Sequence, residues 1–439
     1  MSPPPPRSSS PSGGASTGPE PFSPAGAYFG AMNRLIVLLT LLLGLGLAVP
    51  AQARTEYGAE YVVRFLPAEG QADVSIRLTP GTGDVRHMRL YMPEARYPSV
   101  HGDGEVVRDG AYIDWTPPRG QPARLRYRHV VDHRRSKGGY DARMTADWAI
   151  LRGDDLVPRA TVRTSPGADS KARLRFVLPE GWSNVDTPFL RSRDGKSFVI
   201  VNPERRFDRP TGWVIAGAVG TRREQVAGTE VSVAGPKGDV IRRNDTLAFL
   251  YNLVPEFREA FGEVPRKLLI VSAGDPMWRG GLSGPRSLWL HADRPLISEN
   301  GTSTLTHELF HVITRIRGAD GDDWIAEGLA EFYSIELLRR AGLISPDRAE
   351  RAFAWMRRHG REVTSLDTDR SHGPVTARAV QLFQALDAEI ARHGGGKRDL
   401  DDLVRRLLPL REVSREDLQR EFRALTGRDS AVLDSPLLR

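Results

Sequence analysis

Two histidines four residues apart, His307 and His311, enclose Glu308 in the pattern H-E-x-x-H. Apolar side chains around them recur at helical spacing, so this stretch is predicted to be an α-helix. Residues four positions apart share one face of a helix, and two imidazoles on that face can bind one metal ion. The pattern therefore predicts a zinc site.

A second predicted helix begins at Trp324, after a polar turn, and carries Glu327 and Glu331 on one face. A catalytic zinc ion takes three protein ligands and keeps one position open for water. The sequence contains no cysteine, so the ligands must be histidines and carboxylates. We predict that His307, His311 and Glu327 bind Zn²⁺ and that Glu331 accepts a hydrogen bond from a ligand imidazole. The opposite assignment of the two glutamates stays open.

The chemistry of this site follows from the ion and from Glu308. Zinc lowers the pKa of its bound water from about 15.7 towards about 7. Glu308 is adjacent to His307 and is predicted to be the general base, which takes a proton from the water and passes it to a leaving amine. The predicted function is peptide-bond hydrolysis, with a peptide or protein as the substrate.

Two other functions stay open at this point. One is a weak or inactive relative that keeps the zinc as a structural ion and binds peptide or protein. The other is a zinc hydrolase that acts on a non-peptide amide or ester. Glu308 argues against the first alternative, because a structural zinc ion needs no general base.

The N-terminal 53 residues are predicted to lie outside the mature protein. Residues 1–31 are rich in Pro, Ser and Gly and cannot form a core, so they are predicted to be disordered or a mis-assigned extension before a true start at Met32. Residues 32–53 resemble a signal peptide, because an apolar run shorter than the roughly 20 residues of a membrane span ends in Ala51-Gln52-Ala53. We expect an exported protein, periplasmic or secreted, with no stable membrane insertion after cleavage.

The formal net charge is +7 at pH 7, but the basic residues form short runs that are interleaved with acids. This arrangement predicts a solvated surface rather than a nucleic-acid footprint. Neither charge nor composition predicts the oligomeric state.

The predicted secondary structure that positions the site changes along the chain from mostly strands to mostly helices. From residue 54 to 235, short alternating segments separated by turn residues predict an all-β, sandwich-like domain, with Trp115, Trp148, Trp182 and Trp213 in its core. From 236 to 439, the pattern predicts an α+β domain that is mostly helical. Its strands are predicted at 267–271 and 287–291, and its later helices at 324–340, 346–359, 375–391, 400–407 and 415–425.

A glycine-rich segment precedes the second of these strands and consists of Gly280, Gly281, Leu282, Ser283 and Gly284. Such a segment lets two backbones approach closely, and an exposed strand edge beside the zinc helix can pair with an extended peptide. These residues are therefore the predicted substrate-binding segment. A plain turn is the competing interpretation.

The runs HELFH and WIAEGLAEFYS resemble the gluzincin metallopeptidases, and within them the glycyl aminopeptidase family more closely than the aminopeptidase N family. The segments FDRPTGWVIAG (Phe207 to Gly217), GGLSG and Leu386 to Leu407 are also similar to the glycyl aminopeptidases. The resemblance implies a β-rich N-terminal domain, a thermolysin-like catalytic domain, and zinc held by two histidines and a downstream glutamate.

The sequence departs from these families in four respects, of which the first is an interval between His311 and Glu327 that is shorter than the one typical of the aminopeptidase N family. Gly-Gly-Leu-Ser-Gly replaces the Gly-Ala-Met-Glu-Asn segment whose Glu binds a free amino terminus in the aminopeptidase N family, so endopeptidase and aminopeptidase action both stay open. No tyrosine follows Tyr333, although relatives use a late tyrosine to stabilise the oxyanion, and His372 is the predicted substitute. The C-terminal PDZ domain of many relatives is not expected.

Overall fold

Alternating apolar and polar side chains form strands throughout the N-terminal part of the chain, as in the first strand, where every second residue from Tyr57 to Phe65 is buried. The computed structural model describes residues 55–136, 138–203 and 206–438. The extension predicted at 1–31 and the signal peptide predicted at 32–53 lie outside these residues. Among those described, no helix combines the length and the apolar character needed to cross a membrane.

The strands of this part are β1 (Glu56–Leu66), β2 (Gln71–Thr79), β3 (Val85–Tyr91), β4 (Val100–Gly102), β5 (Glu105–Asp109), β6 (Tyr112–Thr116), β7 (Ala123–Val130), β8 (His133–Arg134), β9 (Tyr140–Met144), β10 (Trp148–Arg152), β11 (Ala160–Thr164), β12 (Asp169–Val177), β13 (Asn184–Asp186), β14 (Leu190–Arg191), β15 (Phe198–Ile200), β16 (Trp213–Gly217), β17 (Val219–Val226) and β18 (Thr229–Pro236). A single-turn helix, α1 (Gly153–Leu156), follows β10, and a 3-10 turn (Pro67–Glu69) follows β1.

Three sheets share the apolar core of the β-rich region. The largest has the strand order β14-β15-β12-β1-β2-β7-β4, a second has the order β11-β3-β6-β5, and a third has the order β13-β16-β10-β9-β8. Trp115 and Trp213 are completely buried, and Trp182 is nearly so, whereas Trp148 is half-buried. A large β-sheet N-terminal region is therefore confirmed.

A further five-stranded sheet joins the β-rich region to the helices. It adds β19 (Lys267–Ala273), β20 (Gly281–Gly284) and β21 (Ser287–His291) in the order β17-β18-β19-β21-β20. β18, β19 and β21 run parallel, whereas β20 pairs antiparallel with β21 and forms one edge. All of β17 and all but the last residue of β18 precede residue 236 and belong to the same sheet as β19, and a domain boundary at 235/236 stays a prediction.

The helices follow, and their bounds are α2 (Arg243–Phe261), α3 (Thr304–Thr314), α4 (Asp323–Arg340), α5 (Pro346–His359), α6 (Pro374–His393), α7 (Leu400–Leu407) and α8 (Arg415–Thr426). Two short strands, β22 (Arg317–Gly318) and β23 (Glu412–Val413), pair in parallel, and a 3-10 turn (Pro436–Leu438) comes last. The predicted helical C-terminal region is confirmed.

Close packing holds α4 in place at Gly328. A Cβ atom added there would lie 2.6 Å from the Cβ atom of Ala379 on α6 and 2.9 Å from the ring of Phe383. Only glycine allows the two helices to approach this closely, because the neighbouring atoms belong to a packed core. This contact fixes the helix that carries Glu327 and Glu331.

Candidate metal centre

The helix α3 presents two histidines because its ends and its apolar face are fixed. The hydroxyl of Ser303 caps its first turn by accepting a hydrogen bond from the Thr306 N–H, and Arg315 ends it in a left-handed conformation with φ of 58°. Leu309 and Phe310 are completely buried in the core that α3 shares with α4. His307 and His311, both half-buried, lie beside this apolar face and contact the glutamates of α4.

The structure brings three of the predicted residues together, and their donor atoms lie within 4.8 Å of one another. The Nε2 atoms of His307 and His311 are 3.3 Å apart. The carboxylate of Glu327 lies 3.2 Å from the first and 3.4 Å from the second. Tetrahedral zinc with bonds of about 2.0–2.1 Å separates its donors by about 3.4 Å, so two imidazoles and this carboxylate suit that ion.

Glu331 lies behind this group rather than within it. One of its carboxylate oxygens is 3.0 Å from the Nδ1 atom of His307, on the side of the ring opposite Nε2. Burial acts to lower the pKa of His307, but hydrogen bonding to Glu327 and Glu331 outweighs burial, and the pKa lies well above its ordinary value. Burial likewise acts to raise the pKa of Glu327, yet hydrogen bonds from both histidines hold it well below its usual range.

Glu308 points from α3 towards the edge strand β20. Its Oε2 atom accepts a hydrogen bond of 2.7 Å from the backbone N–H of Ser283. A Cβ atom at Gly281 would lie 2.8 Å from the Cγ atom of Glu308 and 2.6 Å from the Cγ2 atom of Thr304, so the strand can approach the helix only where glycine stands. The predicted base and the predicted substrate-binding segment are thus in direct contact.

The glycine-rich segment forms a strand rather than the turn that was its alternative. Gly281–Gly284 is the edge strand β20, and its residues are half-buried. The indole Nε1 atom of Trp213 donates a 2.9 Å hydrogen bond to the carbonyl of Leu282, and Arg152 donates one of 3.4 Å to the carbonyl of Ser283. The β-rich region therefore forms one wall beside this strand.

Sequence reasoning missed Arg152 and placed Trp213 only in a sheet core. Arg152 is separated from Ser283 by 131 positions, and it is the last residue of a strand whose local pattern is ordinary. No local signal in the sequence links these residues. Contacts between segments so far apart are decided by how the sheets pack.

His372 is exposed and lies just before α6. Its Nδ1 atom is 3.1 Å from the backbone carbonyl oxygen of Arg370. The preceding residue, Ser371, donates its backbone N–H to Asp323 in the first turn of α4, one turn before Glu327. Within the part of the chain that the structure describes, no contact joins the His372 ring to the three clustered residues, and its role at an oxyanion stays a prediction.

Comparison with known proteins gives structural neighbours only, since no protein-family model and no curated protein matches the sequence. An aminopeptidase N family protein from Idiomarina loihiensis superposes with a TM-score of 0.59 at 13% identity, over 80% of this chain and 70% of that one. A mutant M1 zinc metallopeptidase from Deinococcus radiodurans, bound to a Tyr-Ser-Ala substrate, gives 0.56 at 16% identity, over 88% and 93%.

The native leukotriene A4 hydrolase of Saccharomyces cerevisiae gives a TM-score of 0.54 at 12% identity, over 90% of this chain and 70% of that one. These three alignments cover 80–90% of this chain and therefore include both the β-rich region and the helical region. The finer resemblance to the glycyl aminopeptidases, and a thermolysin-like catalytic domain, stay predictions. This chain therefore has the fold of the M1 zinc metallopeptidases.

Proposed function

We propose that the protein is an exported zinc-dependent metallopeptidase that hydrolyses peptide bonds. The observation that carries this proposal is the cluster of His307, His311 and Glu327, whose donor separations of 3.2–3.4 Å suit tetrahedral zinc. The fold shared with M1 zinc metallopeptidases supports it. Peptides or proteins are the proposed substrates.

Glu308 and Glu331 would each have a separate role in the reaction. When bound, the Zn²⁺ ion supplies Lewis acidity for the water and for the substrate carbonyl. Glu308 holds its Oε2 atom against the Ser283 N–H and keeps Oε1 for proton transfer from the water to the leaving amine. Glu331 accepts the Nδ1–H of His307 and so directs the lone pair of Nε2 towards the ligand cluster.

The edge strand supports a peptide as the substrate. β20 ends its sheet beside Glu308, so an extended chain laid along it would bring a backbone carbonyl near the base. A small-molecule amide or ester would gain nothing from such an edge. We also propose that residues 32–53 direct export, so N-terminal sequencing of exported protein should find Arg54 first.

The test compares the purified, zinc-loaded protein with its Glu308→Gln variant on a peptide library. The variant should bind zinc with unchanged stoichiometry and cleave about 10² to 10⁴-fold more slowly, since it lacks the general base. Glu350→Gln, at an exposed position on α5, is the matched control and should cleave normally. Equal turnover by the wild type and Glu308→Gln would refute the mechanism, and zinc binding without any cleavage would favour a structural ion.

A further inference from the structure

Arg152, the last residue of β10, extends from the β-rich region to the edge strand beside Glu308. Its guanidinium lies over the ring of Trp213, 5.5 Å from the centroid, and Nη1 is 3.4 Å from the carbonyl oxygen of Ser283. Trp213 is itself fixed by burial and by its hydrogen bond to Leu282. The guanidinium is therefore held at a defined place along the strand.

The charge of Arg152 is poorly compensated. A guanidinium has five N–H donors, and here one long hydrogen bond engages one of them. Asp154 lies 3.6 Å away, beyond hydrogen-bond distance, and its carboxylate already accepts the Gly212 N–H at 2.9 Å and pairs with Arg209 at 3.5 Å. Asp155 also interacts electrostatically with the guanidinium, but among the described residues only Asp154 lies within 4.0 Å of it, and the Arg152 side chain is 28% exposed.

The guanidinium and the proposed base contact the same residue of the edge strand. Ser283 donates its N–H to Glu308 and accepts from Arg152 through its carbonyl. Extended chain advances about 3.3 Å per residue, so the guanidinium lies one or two residues of a bound peptide away from the reacting carbonyl. An ammonium group in that position would meet a like charge, whereas a carboxylate could form a charge-assisted, bidentate pair.

We propose that Arg152 is a specificity-determining residue that selects peptides with an Asp or Glu side chain within two positions of the scissile bond. The inference rests on the proposed peptidase function. It adds a substrate class to that function, namely peptides with an acidic side chain near the cleaved bond.

The test uses zinc-loaded protein and a neutral parent peptide in which Glu, and separately its isostere Gln, is placed at each of the three positions on either side of the cleaved bond. At one of the four positions nearest the bond, Glu should raise kcat/KM about 10- to 100-fold over Gln, as expected for a hydrogen-bonded charge. In Arg152→Gln the Glu-to-Gln ratio should fall close to one, and Arg152→Lys should keep part of the preference. Arg159→Gln, which removes an arginine stacked on Tyr91 elsewhere in the β-rich region, should leave the ratio as in the wild type.

A binding measurement separates this inference from the peptidase proposal. Glu308→Gln should bind the preferred Glu peptide more tightly than the Gln peptide in a fluorescence-anisotropy titration, and the double variant with Arg152→Gln should lose the difference. Cleavage with equal rates for Glu and Gln peptides at every position would overturn the inference and leave the peptidase function standing. A preference that survives in a correctly folded Arg152→Gln variant would also overturn it. If no peptide is cleaved while the Arg152-dependent binding difference is present, the peptidase proposal fails. The preference of the site beside β20 for an acidic side chain then stands.

Discussion

The Nδ1 atom of His307 lies 3.0 Å from a carboxylate oxygen of Glu331, one helical turn beyond Glu327 on the same helix. A neutral imidazole that donates from Nδ1 has its lone pair on Nε2, the atom that faces His311 and Glu327. The two glutamates of α4 thus contact opposite edges of one ring. This arrangement assigns them different tasks, and the difference can be measured.

Removing each glutamate should weaken zinc binding to a different degree. Glu331→Ala should lower zinc affinity about 10- to 100-fold, because it removes an outer hydrogen-bond partner of His307 while the three donors remain. Glu327→Ala should lower affinity further, because it removes a donor itself. Competition with a chromophoric chelator measures both, and Glu336→Gln, on the same helix but paired with Arg339 and Arg340, serves as the control. The reverse order of affinities would show that Glu331 is the ligand.

Replacing Gly281 should impair turnover without removing zinc. The alanine Cβ atom would meet the Glu308 and Thr304 side chains at 2.8 and 2.6 Å, so Gly281→Ala must displace the base or the edge strand. We expect kcat to fall at least about 10-fold, because catalysis depends on the position of the base within about 1 Å. Gly274→Ala is the matched control, since it lies outside the predicted substrate-binding segment and its Cβ atom would meet nothing closer than 3.9 Å. Equal losses in both variants would argue against this explanation.

A buried ion pair should contribute strongly to stability. Asp186 is completely buried at the end of β13, where it contacts Lys267 on β19 at 2.8 Å and Arg223 at 2.7 Å. Asp186→Asn should lower the free energy of unfolding by up to about 3–5 kcal/mol, because it leaves the buried Lys267 with only the more exposed Glu230, at 3.3 Å, as a counter-charge. Urea denaturation measures the change. Asp109→Asn, which breaks an exposed pair with Arg89, should cause little change, and a similar small effect in both would contradict the prediction.

Acid should destabilise the β-rich region through His129. This side chain is completely buried, and burial together with the nearby charge of Arg96 lowers its pKa to about 3, although a hydrogen bond to the Arg96 backbone acts in the opposite direction. The unfolded chain binds this proton near pH 6.5 and the folded protein does not. The associated stability is therefore present above pH 6.5 and is lost, at about 1.4 kcal/mol per pH unit, as the pH falls towards 3.

His129→Phe removes that proton and keeps a ring beside Tyr97, so its free energy of unfolding should depend less steeply on pH between about 4 and 6. Urea titrations at several pH values measure the slope. His101→Gln, at an exposed position on the neighbouring strand, should keep the wild-type slope. A wild-type slope in His129→Phe would mean that His129 is not the responsible group.

Most of the helices and strands could be predicted from the sequence. The helix predicted at 346–359 has those bounds in the structure, and the strand predicted at 287–291 does as well. Both predictions depend on the spacing of apolar residues among near neighbours in the sequence, which is a local property. The glycine-rich segment gave no such signal, since its state depends on pairing with β21 rather than on its own side chains.

The sequence by itself placed the two candidate imidazole donors, His307 and His311, on one face of a helix, because they stand four positions apart, and it placed Glu308 between them. It also favoured Glu327 as the ligand and Glu331 as the outer partner, but it left the opposite assignment open, since both lie on the same face of α4. Only the tertiary structure decided which carboxylate faces both imidazoles, because that depends on how α4 packs across α3. It also decided that Arg152 and Trp213 adjoin the edge strand, because packing between distant sheets leaves no periodic signal in the chain.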